Sequence, residues 1–181
     1  MAVVKANYLR RGTTAQQRAK VMKAVRQAAK YYTYREGPDR AQRVWQTHDG
    51  RTLSYADVHA ELRVAAQTYG YTYRVVLSTK DIDITAEGYR AVLADRFASY
   101  YFVEHHNTDY PHAHVIGFCQ QRINKRELQA MRSTVLKAER ERAQGQERSQ
   151  EQEHRGQLQE PVRLPAGDQP SSTRERDHGL G

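Results

Sequence analysis

The stretch Tyr100-Tyr101-Phe102-Val103-Glu104-His105-His106-Asn107-Thr108-Asp109-Tyr110-Pro111-His112-Ala113-His114-Val115-Ile116-Gly117-Phe118 decides the fold class. Aromatic and β-branched residues dominate Tyr100 to His106 and Pro111 to Phe118, which reads as two strands. The polar loop Asn107-Thr108-Asp109-Tyr110 between them is too short to hold a crossover helix, so the strands are expected to pair antiparallel. Pro111 suits a strand entry, where no ladder donor is missed.

Upstream, Tyr71, Tyr73, Val75 and Leu77 alternate with Thr72, Arg74 and Ser78, which predicts a strand over Tyr71 to Thr79. Arg43 to Thr47 is a shorter strand with an Asp49-Gly50 turn behind it, and Val3 to Arg10 is the first strand of the chain. Thr14 and Gln17 have capping-box spacing. Ala15, Ala19, Met22, Val25, Ala29 and Tyr32 follow at steps of three and four, so a helix is expected from Thr14 to Tyr34, stopped by Gly37-Pro38. Ser54 and Asp57 cap a second helix through Val58, Leu62 and Ala65, closing at Gly70. Thr85 caps a third over Ala86 to Ala98, and Asn124 with Glu127 caps a fourth through Leu128, Met131, Val135 and Leu136. This order predicts an α+β domain over residues 1–142, with a mainly antiparallel central sheet and helices packed on it. From Ala143 onward Gln, Glu, Arg, Ser, Gly and Pro prevail. Such a stretch buries too little apolar surface to offset chain entropy, so 143–181 is expected to be a disordered tail.

The chain has 181 residues, a formal net charge of +8 and a mean hydropathy of −0.91. Its longest apolar runs, such as Val75-Val76-Leu77, fall far short of the roughly 20 residues that span a bilayer, so membrane insertion is not expected. The N-terminus lacks the pattern of a secretory signal, and the one cysteine, Cys119, excludes an intrachain disulfide or a cysteine metal cage. A cytoplasmic location is expected. The charge is uneven: residues 1–37 carry nine basic side chains (Lys5, Arg10, Arg11, Arg18, Lys20, Lys23, Arg26, Lys30 and Arg35) and one acid, Glu36, which accounts for the whole excess. A cationic element of this kind suits a polyanionic partner, most simply nucleic acid; a solvated helix face in a merely basic protein is the plain alternative.

Four of the eight histidines, His105, His106, His112 and His114, lie within ten residues. His112 and His114 are two apart on a strand and therefore project from one face. Burying two neutral imidazoles side by side has little structural purpose unless something binds between them, and the end of the preceding strand would supply a third nitrogen. Three imidazoles on a flat sheet make an open metal site that leaves positions for substrate oxygens. Position 116 is Ile116, so a third alternating histidine is missing, and no Asp-His follows His114 as a binuclear hydrolase would require. Of the twelve tyrosines none lies after Tyr110, and three crowd at the end of the basic helix in Tyr31-Tyr32-Thr33-Tyr34-Arg35-Glu36-Gly37.

The run from His105 through Pro111-His112-Ala113-His114 to Ile116 resembles the three-histidine motif of conjugative relaxases of the HUH endonuclease superfamily. That motif has a first His, six intervening residues ending in Pro, then His-hydrophobic-His on an apolar strand. Tyr32-Thr33-Tyr34-Arg35-Glu36-Gly37 is similar to the Tyr-x-x-Arg-x-Gly nucleophile motif of mobilisation and T-DNA border relaxases, and Tyr73-Arg74-Val75-Val76-Leu77-Ser78 is similar to the family's middle strand ending in Ser. The resemblance covers about residues 1 to 135. Two departures stand out: Asn107 occupies the place where the family often has Asp, and three tyrosines within four residues leave the register open among Tyr31, Tyr32 and Tyr34.

The resemblance implies a site- and strand-specific nickase that cleaves single-stranded DNA at a transfer origin through a 5′-phosphotyrosine and rejoins it, for mobilisation of a plasmid or integrative element. It implies Mg²⁺ or Mn²⁺ on His105, His112 and His114, and Tyr32 as nucleophile, with Tyr31 and Tyr34 as alternates. Arg10, Arg11, Lys20, Lys23, Arg35 and Ser78 would contact DNA, and Asp81, Asp83 or Asp109 would serve as base or support. The expected partners are single-stranded DNA at a nick site, accessory DNA-binding proteins and type IV secretion coupling proteins, in a bacterial cytoplasm. Rolling-circle initiators and small transposases of the same superfamily place their tyrosine after the paired histidines, which the tyrosine order here disfavours. A noncatalytic DNA-binding protein with a structural metal is the alternative from another class.

Overall fold

The structure, a computed structural model, describes residues 2–79, 82–106 and 110–158. Its elements run β1 (Val3–Arg10), α1 (Ala15–Tyr34), β2 (Trp45–Thr47), β3 (Thr52–Leu53), α2 (Tyr55–Thr68), β4 (Tyr71–Ser78), α3 (Ala86–Ala94), β5 (Ser99–His105), β6 (His112–Cys119) and α4 (Lys125–Leu158). The expected α+β architecture is present: six strands form one antiparallel open sheet in the order β1-β4-β6-β5-β2-β3, with four helices packed on it.

Local chemistry starts each helix where the sequence predicts. Thr14 and Gln17 close the reciprocal capping box of α1, Ser54 accepts from the Asp57 amide at α2, and Thr85 accepts from the Gly88 amide at α3. Asn124 and Glu127 exchange side-chain bonds at the start of α4. Such caps satisfy amides that the helix leaves without partners, each worth about 1 kcal/mol.

Strand β6 is buried along its whole length and forms the middle of the sheet, between β4 and β5. Its side chains divide by alternation. His112, His114, Ile116 and Phe118 face one way, and Ile116 and Phe118 pack with Tyr101, Val103, Trp45 and the apolar stripes of α1 (Val21, Val25, Ala29, Tyr32) and α2 (Val58, Leu62). Ala113 and Val115 face the other way, into Tyr73, Val75, Leu77 and Phe102 beneath α3 (Tyr89, Val92, Leu93) and α4 (Met131, Val135). Two cores thus sandwich the sheet. Each fully buried large apolar side chain contributes roughly 1.5–3 kcal/mol before entropy is subtracted.

Three details add to the expectations or differ from them. The short strand β3 pairs with β2 behind the Asp49-Gly50 turn, where Gly50 adopts φ +85°, a left-handed conformation that favours glycine. α3 ends at Ala94 rather than Ala98, with Arg96 and Phe97 amides closing on the Leu93 carbonyl, which turns the Phe97 ring into the core. The third concerns the expected tail, of which only residues 143–158 are described. Among the described residues the chain divides into 2–147 and 148–158, and helix α4 continues past residue 142 to Leu158. Ala, Glu, Gln and Arg are good helix formers and sustain the helix without an apolar stripe, helped by an exposed i,i+4 ion pair, Lys137–Glu141, at 3.7 Å. The rest of the expected tail, 159–181, lies outside the described residues. Among the described residues no helix is long and apolar enough to cross a membrane.

Candidate metal centre

Antiparallel register assembles the histidines. His112, the first residue of β6, stands opposite His105 on β5 and opposite Ser78 on β4, and His114 lies two residues further along the same face. His114 meets His105 and His112 edge to face, with centroids 4.6 Å and 5.0 Å apart, and the His105 and His112 rings are tilted at 5.4 Å. One ring nitrogen from each falls within 4.8 Å of the others, and the residues are only 0%, 9% and 7% exposed.

Hydrogen bonds dictate which nitrogen each ring offers. The main-chain carbonyl of Tyr32 lies 2.8 Å from His105 Nε2 and can only accept, so that nitrogen carries the proton and Nδ1 keeps its lone pair. By the same logic the Tyr110 carbonyl, 3.1 Å from His112 Nδ1, holds the proton there and assigns the lone pair to Nε2. Backbone carbonyls that orient imidazoles in this way are the usual support for metal-ligating histidines. Among the described residues His105 Nδ1 and both nitrogens of His114 are buried without a hydrogen-bond partner. A buried polar atom in that state costs roughly 1–3 kcal/mol, a cost that coordination of a cation would remove. Burial, reinforced by the neighbouring imidazoles and arginines, pushes His105 down to about 4 and His114 down to about 3, and burial lowers His112 as well. All three are therefore neutral near pH 7, the form that binds metal. The donor set fits a divalent ion held by three nitrogens with coordination positions left over.

Of the three tyrosines, only Tyr32 is brought to this centre. Its ring stacks on His114, with centroids 4.2 Å apart and an interplanar angle of 14°. Burial raises its pKa, and the nearby Arg74 guanidinium partly offsets that rise. Tyr31 and Tyr34 point outward, 53% and 44% exposed.

A brace that the sequence reading did not identify fixes the end of α1 against the sheet. Asp39 receives both Nε (3.1 Å) and Nη2 (2.7 Å) of the nearly buried Arg43, and its Oδ2 also accepts the His106 amide at 2.9 Å. Chiefly through the Arg43 hydrogen bonds, its carboxyl is held well below the usual carboxylate range. Arg43 also donates to the Arg35 carbonyl, while Trp45 Nε1 donates to Thr33 Oγ1 at 2.9 Å. Loop, helix end and histidine strand are thereby tied together. The signals were the i,i+4 spacing of Asp39 and Arg43 in what reads as a helix stop, and the placement of Arg74 in the same alternating set as Ser78.

Of the other expected site residues, Ser78 and Arg35 lie by the centre and the rest scatter. Ser78 lies in register with His112 and donates to the Pro111 carbonyl at 3.1 Å, which steadies the entry to β6. Arg35 is exposed at the end of α1, and its positive charge helps to lower His112 and His114. Lys20 and Lys23 are exposed on α1, about 18 and 14 Å along the helix from Tyr32 at roughly 1.5 Å per residue. Arg10 and Arg11 do not flank the centre. Arg10 pairs with Tyr71 at the end of the ladder opposite the Val3–Ser78 pair, about 23 Å away at roughly 3.3 Å per residue. Arg11 caps α2 by donating to the Gln67 and Thr68 carbonyls. Asp83 is also misplaced for a base: it accepts from Tyr89 on α3 and lies 3.4 Å from His106 Nδ1, grouped with Glu104, which alternates to the face turned away from His105. Asp81 and Asp109 lie outside the described residues.

In comparisons with known proteins, no family model, no curated protein and no solved structure matches the chain.

Proposed function

We propose that the chain is a metal-dependent tyrosine endonuclease of single-stranded DNA, a relaxase-like enzyme that nicks and rejoins one strand at a specific site. The observation that carries this reading is the ring of Tyr32 stacked on His114 within a neutral three-histidine cluster. His105, His112 and His114 would hold the ion, Mg²⁺ or Mn²⁺ by the resemblance, which when bound polarises a phosphate oxygen and offsets charge in the transition state. The phenol of Tyr32 gives its proton to water and its oxygen attacks phosphorus, as the bond to the 3′ oxygen breaks and that oxygen takes a proton from water and leaves as a hydroxyl. Tyr32 then carries the 5′ phosphate. The reverse attack by a 3′ hydroxyl rejoins the strand, because the phosphodiester's bond energy is conserved. Arg74 favours the phenolate against the opposing effect of burial, and the Tyr32 carbonyl ties nucleophile and metal ligand to one another through His105. On this reading the substrate is a nick site at a transfer origin, and accessory DNA-binding and secretion coupling proteins are its partners.

The test is covalent capture. Incubating the protein with labelled random-sequence single strands and Mn²⁺ should yield a denaturant-stable adduct that Tyr32→Phe abolishes and that Tyr31→Phe and Tyr34→Phe retain. Adduct persisting in Tyr32→Phe would refute the assignment. Stoichiometric metal binding with no adduct would instead favour a noncatalytic DNA-binding protein with a structural metal, a reading supported by the low exposure of all three histidines.

A further inference from the structure

The proposed reaction leaves Tyr34 unused, yet this large ring is 44% exposed two residues from the nucleophile. It borders a cleft of about 750 Å³ between the end of α1 and the β3–α2 junction, formed in part by Pro38, Arg40, Val44, Leu53 and Tyr55. That volume lies within the roughly 300–1,000 Å³ typical of small-ligand pockets. Tyr55 and Tyr34 meet edge to face, with centroids 5.1 Å apart at 67°, and Tyr34 stays 44% exposed. The Arg40 guanidinium lies over the Tyr34 ring, 5.9 Å from its centre, and the Arg35 guanidinium over the Tyr31 ring at 5.6 Å. Among the described residues no carboxylate forms an ion pair with either arginine.

A part-exposed aromatic ring next to a guanidinium that no carboxylate neutralises among the described residues matches the two parts of a nucleotide, a flat base and an anionic phosphate. In a duplex the base faces are occupied by their own neighbours, so only an unpaired base can use such a ring. We propose that Tyr34, with Arg40 beside it, stacks one unpaired base of the DNA strand close to the phosphate that Tyr32 attacks. The position along the strand rests on the reading of Tyr32 as nucleophile; the binding does not, and is measured without cleavage.

The measurement is fluorescence anisotropy of a labelled random-sequence single strand in EDTA, with the full chain. Tyr34→Ala should weaken binding roughly 5- to 100-fold, the range for loss of one base–aromatic stack, whereas Tyr34→Phe, which keeps the ring, should bind like the parent. Arg40→Gln should weaken binding and reduce the slope of log affinity against log salt by about 0.7, the value for one phosphate contact on a single strand. Parental affinity in Tyr34→Ala, or a loss in Tyr34→Phe equal to that in Tyr34→Ala, would overturn the proposal and leave the nuclease reading standing. A parent protein that binds no single strand would bring down both. If a lower urea midpoint shows that Tyr34→Ala disturbs its contact with Tyr55, the exposed Arg40→Gln decides: an unchanged salt slope there refutes the site.

Discussion

Acidifying the metal-free protein from about pH 7.5 to about pH 5 is expected to cost stability through the histidine cluster, by an amount that can be worked out. In the unfolded chain an imidazole titrates near 6.5. In the folded chain burial holds His105 at about 4 and His114 at about 3. Between these values the unfolded state binds more protons than the native state, so stability rises with pH and is lost on acidification. At about pH 5 both folded values already lie a full unit or more below the solution pH. The cost per residue is then set almost wholly by the unfolded chain, at about 2 kcal/mol each, or about 4 kcal/mol for the two. His112, also lowered by burial, acts in the same direction. Urea unfolding in EDTA across this range measures the slope. His114→Gln supplies the control, because its buried amide adds a cost that does not vary with pH, while the slope should fall by about one proton. Excess Mn²⁺ at neutral pH should raise the unfolding midpoint of the parent and have little effect on His114→Gln. An equal pH slope in parent and variant would mean that the imidazole is solvated, and would refute the buried, neutral cluster.

Three further outcomes are expected. Asp39→Asn removes the charge from a nearly buried ion pair and leaves Arg43 uncompensated, so urea unfolding should show a loss of about 3 kcal/mol or more, with weaker Mn²⁺ binding as the helix end loosens. Gly117→Ala would place a methyl group 2.6 Å from the buried Phe97 ring in the central strand, and the overpacking should cost about 1–3 kcal/mol by thermal or urea melts. Arg11→Ala should lower stability by about 1 kcal/mol through the loss of its bonds to the α2 carbonyls, and, given the distance of that end of the sheet from the histidines, should leave adduct formation at saturating DNA unchanged.

The sequence by itself determined what depends on neighbouring residues. Capping pairs such as Thr14 with Gln17 and Asn124 with Glu127 are three residues apart and act through the backbone they start, so the helix beginnings were legible. Alternation with period two follows from strand geometry alone, and it puts His112 and His114 on one face. The short loop after His106 likewise required an antiparallel neighbour. Tertiary structure decided the rest. That His105 stands opposite His112 depends on the register of a ladder, and that Tyr32 rather than Tyr31 or Tyr34 meets the cluster depends on which face of α1 is buried against the sheet. The bond from His105 to the Tyr32 carbonyl joins residues 73 positions apart, and the Asp39 link to the His106 amide joins residues 67 apart. No local propensity encodes such contacts; they are selected by the summed burial of two cores on opposite sides of one sheet. The same packing carried Arg10 and Arg11 to the far end of β1 and put Asp83 with Tyr89 and His106. Charge count alone says how many cations a chain has, but only the register of its strands says where they stand.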